Sequence, residues 1–93
     1  MKYKIHDTKK FRKKLRKHIA NKRVKKEEVD AVLSKLANDT SLEPKFRDHA
    51  LHGEWKGYRE CHIRPDLLLV YRKEKDRLIL ALIDLDSHSN LFN

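Results

Sequence analysis

Two uninterrupted apolar runs, Leu67–Tyr71 (LLLVY) and Leu78–Ile83 (LILALI), constrain this fold more than any other feature. A strand with one wet face alternates apolar and polar residues, whereas a strand that is apolar throughout is covered on both faces. Both runs therefore read as central strands of a sheet. They lie within longer stretches, Asp66–Lys73 and Arg77–Leu85, joined by a tight turn at Lys75-Asp76. A third strand, Tyr58–Ile63, leads in through a turn at Arg64-Pro65, so the three form an antiparallel meander.

The first half of the chain supplies the cover. Lys2–His6 reads as a short strand with Tyr3 and Ile5 alternating against lysines. Asp7 and Thr8 suit a helix N-cap, because their side-chain oxygens accept from the first free amides. Phe11, Leu15 and Ile19 follow at intervals of four, a narrow apolar stripe on a basic rod that Asn21 closes. A second helix spans about Val24–Ala37, with Val29, Val32, Leu33, Leu36 and Ala37 on one face. Glu27, Glu28 and Asp30 sit in its first turn, where carboxylates complement the helix dipole. The short connection predicts an antiparallel pair. From Pro44 to Gly57 no period is visible and the chain reads as irregular, and Ser87–Phe92 reads as a last helical turn. The expected whole is one α+β domain over residues 1–93. Its N-terminal antiparallel helix pair packs on one face of a twisted, mainly antiparallel four-stranded sheet.

Charge narrows the function. Lys and Arg number 23 against 14 acidic residues, a formal charge of +9. Thirteen of those bases lie between Lys2 and Lys26, where Asp7 is the only acid. Such a field draws in polyanions: nucleic acid, an anionic membrane or an acidic protein. No apolar run approaches the ~20 residues of a membrane span, and the start, MKYKIHDTKK, lacks the apolar core of a signal peptide. A lone cysteine, Cys61, allows no internal disulfide. The expected location is the cytoplasm.

The titratable residues of interest fall in the second half: His49, His52, Cys61, His62, Asp66 and His88. Neighbours on a strand point to opposite faces, so Cys61 and His62 cannot easily share an ion, and His49 and His52 lack a second pair at zinc spacing. No metal or other cofactor is expected, and nothing marks Cys61 as an activated nucleophile. Acid–base cleavage of RNA fits better. It needs a group to take the ribose 2′-proton, a group to protonate the leaving 5′-oxygen, and a cation for the phosphate. Imidazole serves either proton role near neutral pH. His62, Asp66 and His88 can converge at one end of a meander.

The run from Asp48 to Asp66 (DHALHGEWKGYRECHIRPD) resembles the YafQ branch of the RelE superfamily, with its DHPL-x-G-x-WKGYR-[DE]-x-H-x-x-PD pattern. LLLVY and Ser87–Phe92 (SHSNLF) continue the likeness in order. The resemblance implies a metal-independent mRNA endonuclease, the toxin of a type II toxin–antitoxin system. It would act in the ribosomal A site and be held inactive by a cognate acidic antitoxin. It implies His49, His62, Asp66 and His88 as the catalytic set. In that reading His88 is the general acid, and the other three orient the ribose and share the base role. Phe92 would stack on a base, and Lys56 and Arg59 are candidates for phosphate contact.

One stretch departs from the pattern. Asp84-Leu85-Asp86 stands where such sequences usually have Arg-Thr-Gly, so two carboxylates are expected beside the site, repelling phosphate and raising the pKa of His88. Two alternatives follow: a non-catalytic toxin of the same fold, such as a gyrase inhibitor, or a degenerate member that has lost cleavage.

Overall fold

The computed structural model describes residues 1–92. Its elements are β1 (Lys4–Asp7), α1 (Lys9–Ala20), α2 (Lys26–Ala37), β2 (His49–Ala50), β3 (Arg59–Arg64), β4 (Leu67–Glu74), β5 (Ile79–Asp86) and α3 (His88–Phe92), with 3₁₀ turns at Pro44–Phe46 and Gly53–Trp55. The sheet order is β1-β5-β4-β3-β2, with β1 parallel to β5 and the other pairs antiparallel.

The sheet has five strands, not the four expected. The addition is β2, whose two residues pair with Arg59 and Glu60 and are too few to show any alternation. Strand β5 begins at Ile79 because Leu78 is held at φ +52° and 45% exposed, completing the turn instead of entering the ladder. Thr8 caps α1 as expected, accepting from the Phe11 amide at 3.2 Å, while its hydroxyl donates to the Leu82 carbonyl at 2.8 Å. That second bond locks the start of α1 to β5. Helix α2 is capped by Glu28, which accepts from the Lys25 amide at 2.9 Å.

Alternation sorts the side chains of β3, β4 and β5. Cys61, Ile63, Leu67, Leu69, Tyr71, Leu80, Leu82 and Leu85 join Phe11 and the α2 stripe in one core. A bulge resets β5 midway: Val70 pairs with Asp84 but Tyr71 with Leu82, leaving Ile83 unpaired. One extra residue swaps the faces of everything beyond it. Leu85 therefore enters the core, and Asp84 and Asp86 turn to the other face with Glu60, His62, Leu68 and Val70.

Candidate active site

Two rows cross the face turned away from the helices. One runs His49–Glu60–Val70–Asp84, the other His62–Leu68–Asp86. Glu60 is their centre of charge. It is 5% exposed, and its Oε1 lies 3.0 Å from His49 Nε2 and 3.9 Å from His62 Nε2. Its Oε2 is buried without a hydrogen-bond partner. A buried carboxylate oxygen left without a protein partner is costly to desolvate. Sequence reasoning passed over Glu60. The available signal was its spacing of two from His62, which puts both on one strand face.

The two imidazoles differ. The Nδ1 of His49 meets the Arg47 carbonyl at 2.6 Å, and Arg47 is held at φ +49°, the left-handed turn that aims this carbonyl. Both ring nitrogens of His49 thus face oxygens, an arrangement that suits a doubly protonated ring. The Nδ1 of His62 meets the Pro65 carbonyl at 3.1 Å. A carbonyl only accepts, so Nδ1 is the donor of this bond, while Nε2 lies 3.9 Å from Glu60, beyond hydrogen-bond reach.

Helix α3 brings the remaining pieces. His88 and Phe92 line a cavity of about 250 Å³ with His49, His52, Trp55 and Glu60. The Phe92 ring lies 5.1 Å from the His88 ring and edge-on to Trp55 at 5.7 Å. Aromatic rings and three imidazoles around one carboxylate can clamp a nucleotide and exchange protons with it. His52 and Trp55, to which sequence reasoning assigned no role, line this same cavity.

Other expected residues stand elsewhere. Arg59 points to the helix side, where its guanidinium meets Asp48 at 3.3 Å and the Tyr71 hydroxyl at 3.2 Å. Lys56 is exposed beyond the second 3₁₀ turn and is not part of the cavity lining. Asp66 lines a separate depression with His18, Arg23, Arg64 and Asp86. Cys61 is buried, and burial pushes its thiol far above the ordinary range, so it is inert. Among the described residues, no three His, Cys, Asp or Glu side chains are grouped to hold a metal ion, and no helix is long and apolar enough to cross a membrane.

The family described as "bacterial toxin of type II toxin-antitoxin system, YafQ" matches residues 3–93. The chain belongs to the YafQ toxin family. The mRNA interferase toxin YafQ of Escherichia coli K12 is 43% identical over 49 residues, 52% of each chain. The chain spans 52 to 59% of the length of the curated relatives it matches. Among solved structures, a metal-bound toxin from Helicobacter pylori is 42% identical, with a TM-score of 0.90 over 97% of this chain and 99% of that one. The Escherichia coli DinJ–YafQ complex contains a chain 30% identical, with a TM-score of 0.78 over 98% and 99%.

Against the YafQ pattern, the acidic pair on β5 is the notable difference. Neither carboxylate is loose. Lys14 Nζ lies 2.7 Å from Asp86 and 3.4 Å from Asp84, and Lys10 Nζ lies 3.1 Å from Asp84. Burial alone would raise the Asp86 carboxyl, but hydrogen bonds from Lys14, Asn90 and the Ser87 amide hold it well below the usual range. The Asn90 and Ser87 bonds also fasten α3 to the end of β5. His18 completes the network, 1% exposed, with Nε2 3.1 Å from the Leu85 carbonyl and 3.7 Å from Asp86.

Proposed function

We propose that this chain is the toxin of a type II pair that cuts messenger RNA on the ribosome by metal-independent acid–base chemistry, and that a cognate acidic antitoxin holds it inactive. The observation that carries this reading is the convergence of His49, Glu60, His88 and Phe92 on one cavity, with His62 on the same sheet face, 3.9 Å from the Glu60 carboxylate. The interferase activity of the Escherichia coli relative and the DinJ complex support the RNA substrate and the antitoxin.

The geometry favours a division of labour. His62 Nε2 takes the proton from the ribose 2′-hydroxyl, and the freed oxygen attacks the adjacent phosphorus. His88 donates a proton to the departing 5′-oxygen, leaving a 2′,3′-cyclic phosphate on the upstream fragment. His49, protonated between Arg47 and Glu60, offsets charge on the phosphate. Phe92 and Trp55 hold the base, a stack being worth about 1–3 kcal/mol. Asp66, in the separate depression it shares with Asp86, takes no direct part in this division. The ribosome aligns the message, so free RNA is a poor substrate.

The test is His88→Ala assayed by primer extension on a translated message. Cleavage should fall by about 10²–10⁴-fold with the melting temperature unchanged. A variant that cuts as well as the parent would refute the acid assignment. Cleavage by the parent should also survive 1,10-phenanthroline, which removes transition metals while sparing ribosomal magnesium.

A further inference from the structure

The proposed chemistry asks for a fixed cation at the phosphate, yet no lysine or arginine lines the cavity of His49, Glu60, His88 and Phe92. Arg59 is on the other side of the sheet. The cations anchored on the same face are Arg72, held over the Tyr58 ring at 5.7 Å, and, at the β5 end, Lys10 and Lys14. The two lysines reach it in an unusual way. Strand β1 stops at Asp7, opposite Leu82, so the outer edge of β5 beyond that point has no strand beside it. Helix α1 takes up this edge through Thr8 at Leu82 and His18 at Leu85. Lys10 and Lys14, one turn apart, reach Asp84 and Asp86 on the far face.

We infer that Lys10 and Lys14, bracketed by Asp84 and Asp86, form the phosphate-binding arm of the site. They receive a backbone phosphate of the RNA on the side of the cavity nearest β5. This inference rests on the ribonuclease reading above.

Distance, charge and burial agree with it. Asp84 stands in one row with Glu60, two strands away, and neighbouring strands are about 4.8 Å apart. The Asp84 backbone therefore sits about 10 Å from that of Glu60, and both lysines are anchored at the Asp84 carboxylate. Lys10 is 64% exposed while its carboxylate partner is 7% exposed, so the anchor is hidden and the ammonium faces solvent with donors to spare. Lys9, Lys13, Arg16 and Lys17 on the same helix keep the surrounding field positive, although the four bracketed charges cancel. Asp84 and Asp86 act as positioning residues, holding two flexible chains where a shorter reach from β5 itself would place a cation.

The test compares the parent with Lys10→Ala, Lys10→Arg and the exchanged pair Lys10→Glu with Asp84→Arg. Lys14 is left intact, because its loss would strand two buried carboxylates. Two readouts are taken: KM and kcat for cleavage of a translated message, and the salt dependence of binding to a single-stranded RNA carrying a 2′-deoxy sugar at the cut. Lys10→Ala should raise KM about tenfold and reduce the salt slope by about one contact, with an unchanged melting temperature. Lys10→Arg and the exchanged pair should stay within about threefold of the parent. If Lys10→Ala binds with the parental salt slope and KM, the bracket merely fastens α1 to the sheet and the inference is overturned. If instead the parent binds RNA with the expected lysine dependence and His88→Ala still cuts normally, it is the catalytic reading that fails.

Discussion

The two faces of this sheet are built from the same strands and buried almost equally, yet they are governed by different physics. On the helix side Cys61, Leu69, Tyr71 and Leu85 meet Phe11 and the α2 stripe in a core held by apolar contact. On the other side Glu60, Asp84 and Asp86 are each 5% exposed or less, and charge balance decides what is stable. The first face is closed by apolar side chains. The second has matched each buried carboxylate on β5 with a lysine, and left one oxygen of Glu60 unmatched.

The sharpest way to separate the faces is to damage each in turn. Leu69→Ala on the helix side removes a fully buried side chain and should cost about 2–5 kcal/mol. Denaturant melts should show this, while kcat per folded molecule stays at the parental value. A fall in kcat with stability intact would mean that the faces are coupled. Glu60→Gln on the other side keeps the shape and removes the charge. It should lower kcat about ten- to a hundredfold, the worth of a charge-assisted hydrogen bond of ~1.5–3 kcal/mol. Its melting temperature should hold or rise, because a buried charge with one unmatched oxygen disappears. A destabilised protein with normal kcat would show Glu60 to be structural.

The smallest effect concerns acid. Burial pushes His18 below its ordinary pKa, against the pull of Asp86, so the unfolded chain takes up this proton first. Its contribution is therefore complete above about pH 6.5 and declines as the pH falls through that value. Asp86 is also depressed, so its contribution is present above about pH 4 and is lost below it. Thermal melts from pH 7 to 3 should show two successive losses. His18→Gln should flatten the upper one and leave the lower in place; an unaltered upper slope would count against a neutral buried ring.

What the chain discloses without coordinates is what depends on local periodicity. The continuous runs of β4 and β5, the Thr8 cap and the α2 stripe can all be read within windows of a few residues. The helix-side core follows from them directly. The functional face depends on long-range pairings and on one irregularity. Counting alternation from Leu80 and Leu82 would send Asp84 into the core beside them, and only the bulge at Ile83 turns it outward. No residue type announces that bulge. Likewise β2 is held by pairing with β3 and has no pattern of its own. Family likeness could single out His49, but no local pattern foretells its approach to Glu60. The carboxylates that looked like intruders beside a phosphate site are the anchors of two lysines sixty or more residues earlier in the chain.

The parallel pairing of Lys4–Asp7 with Ile79–Leu82 has a consequence for how such a molecule comes into being. A nascent chain that has emerged only as far as Lys75 offers its first strand nowhere to lodge, and Thr8 no carbonyl to grip. Helix α1 then hangs as an unanchored polycation. Closure comes late and joins distant stretches at once, so half-made copies hold neither a finished interior nor the paired outer edge of β5.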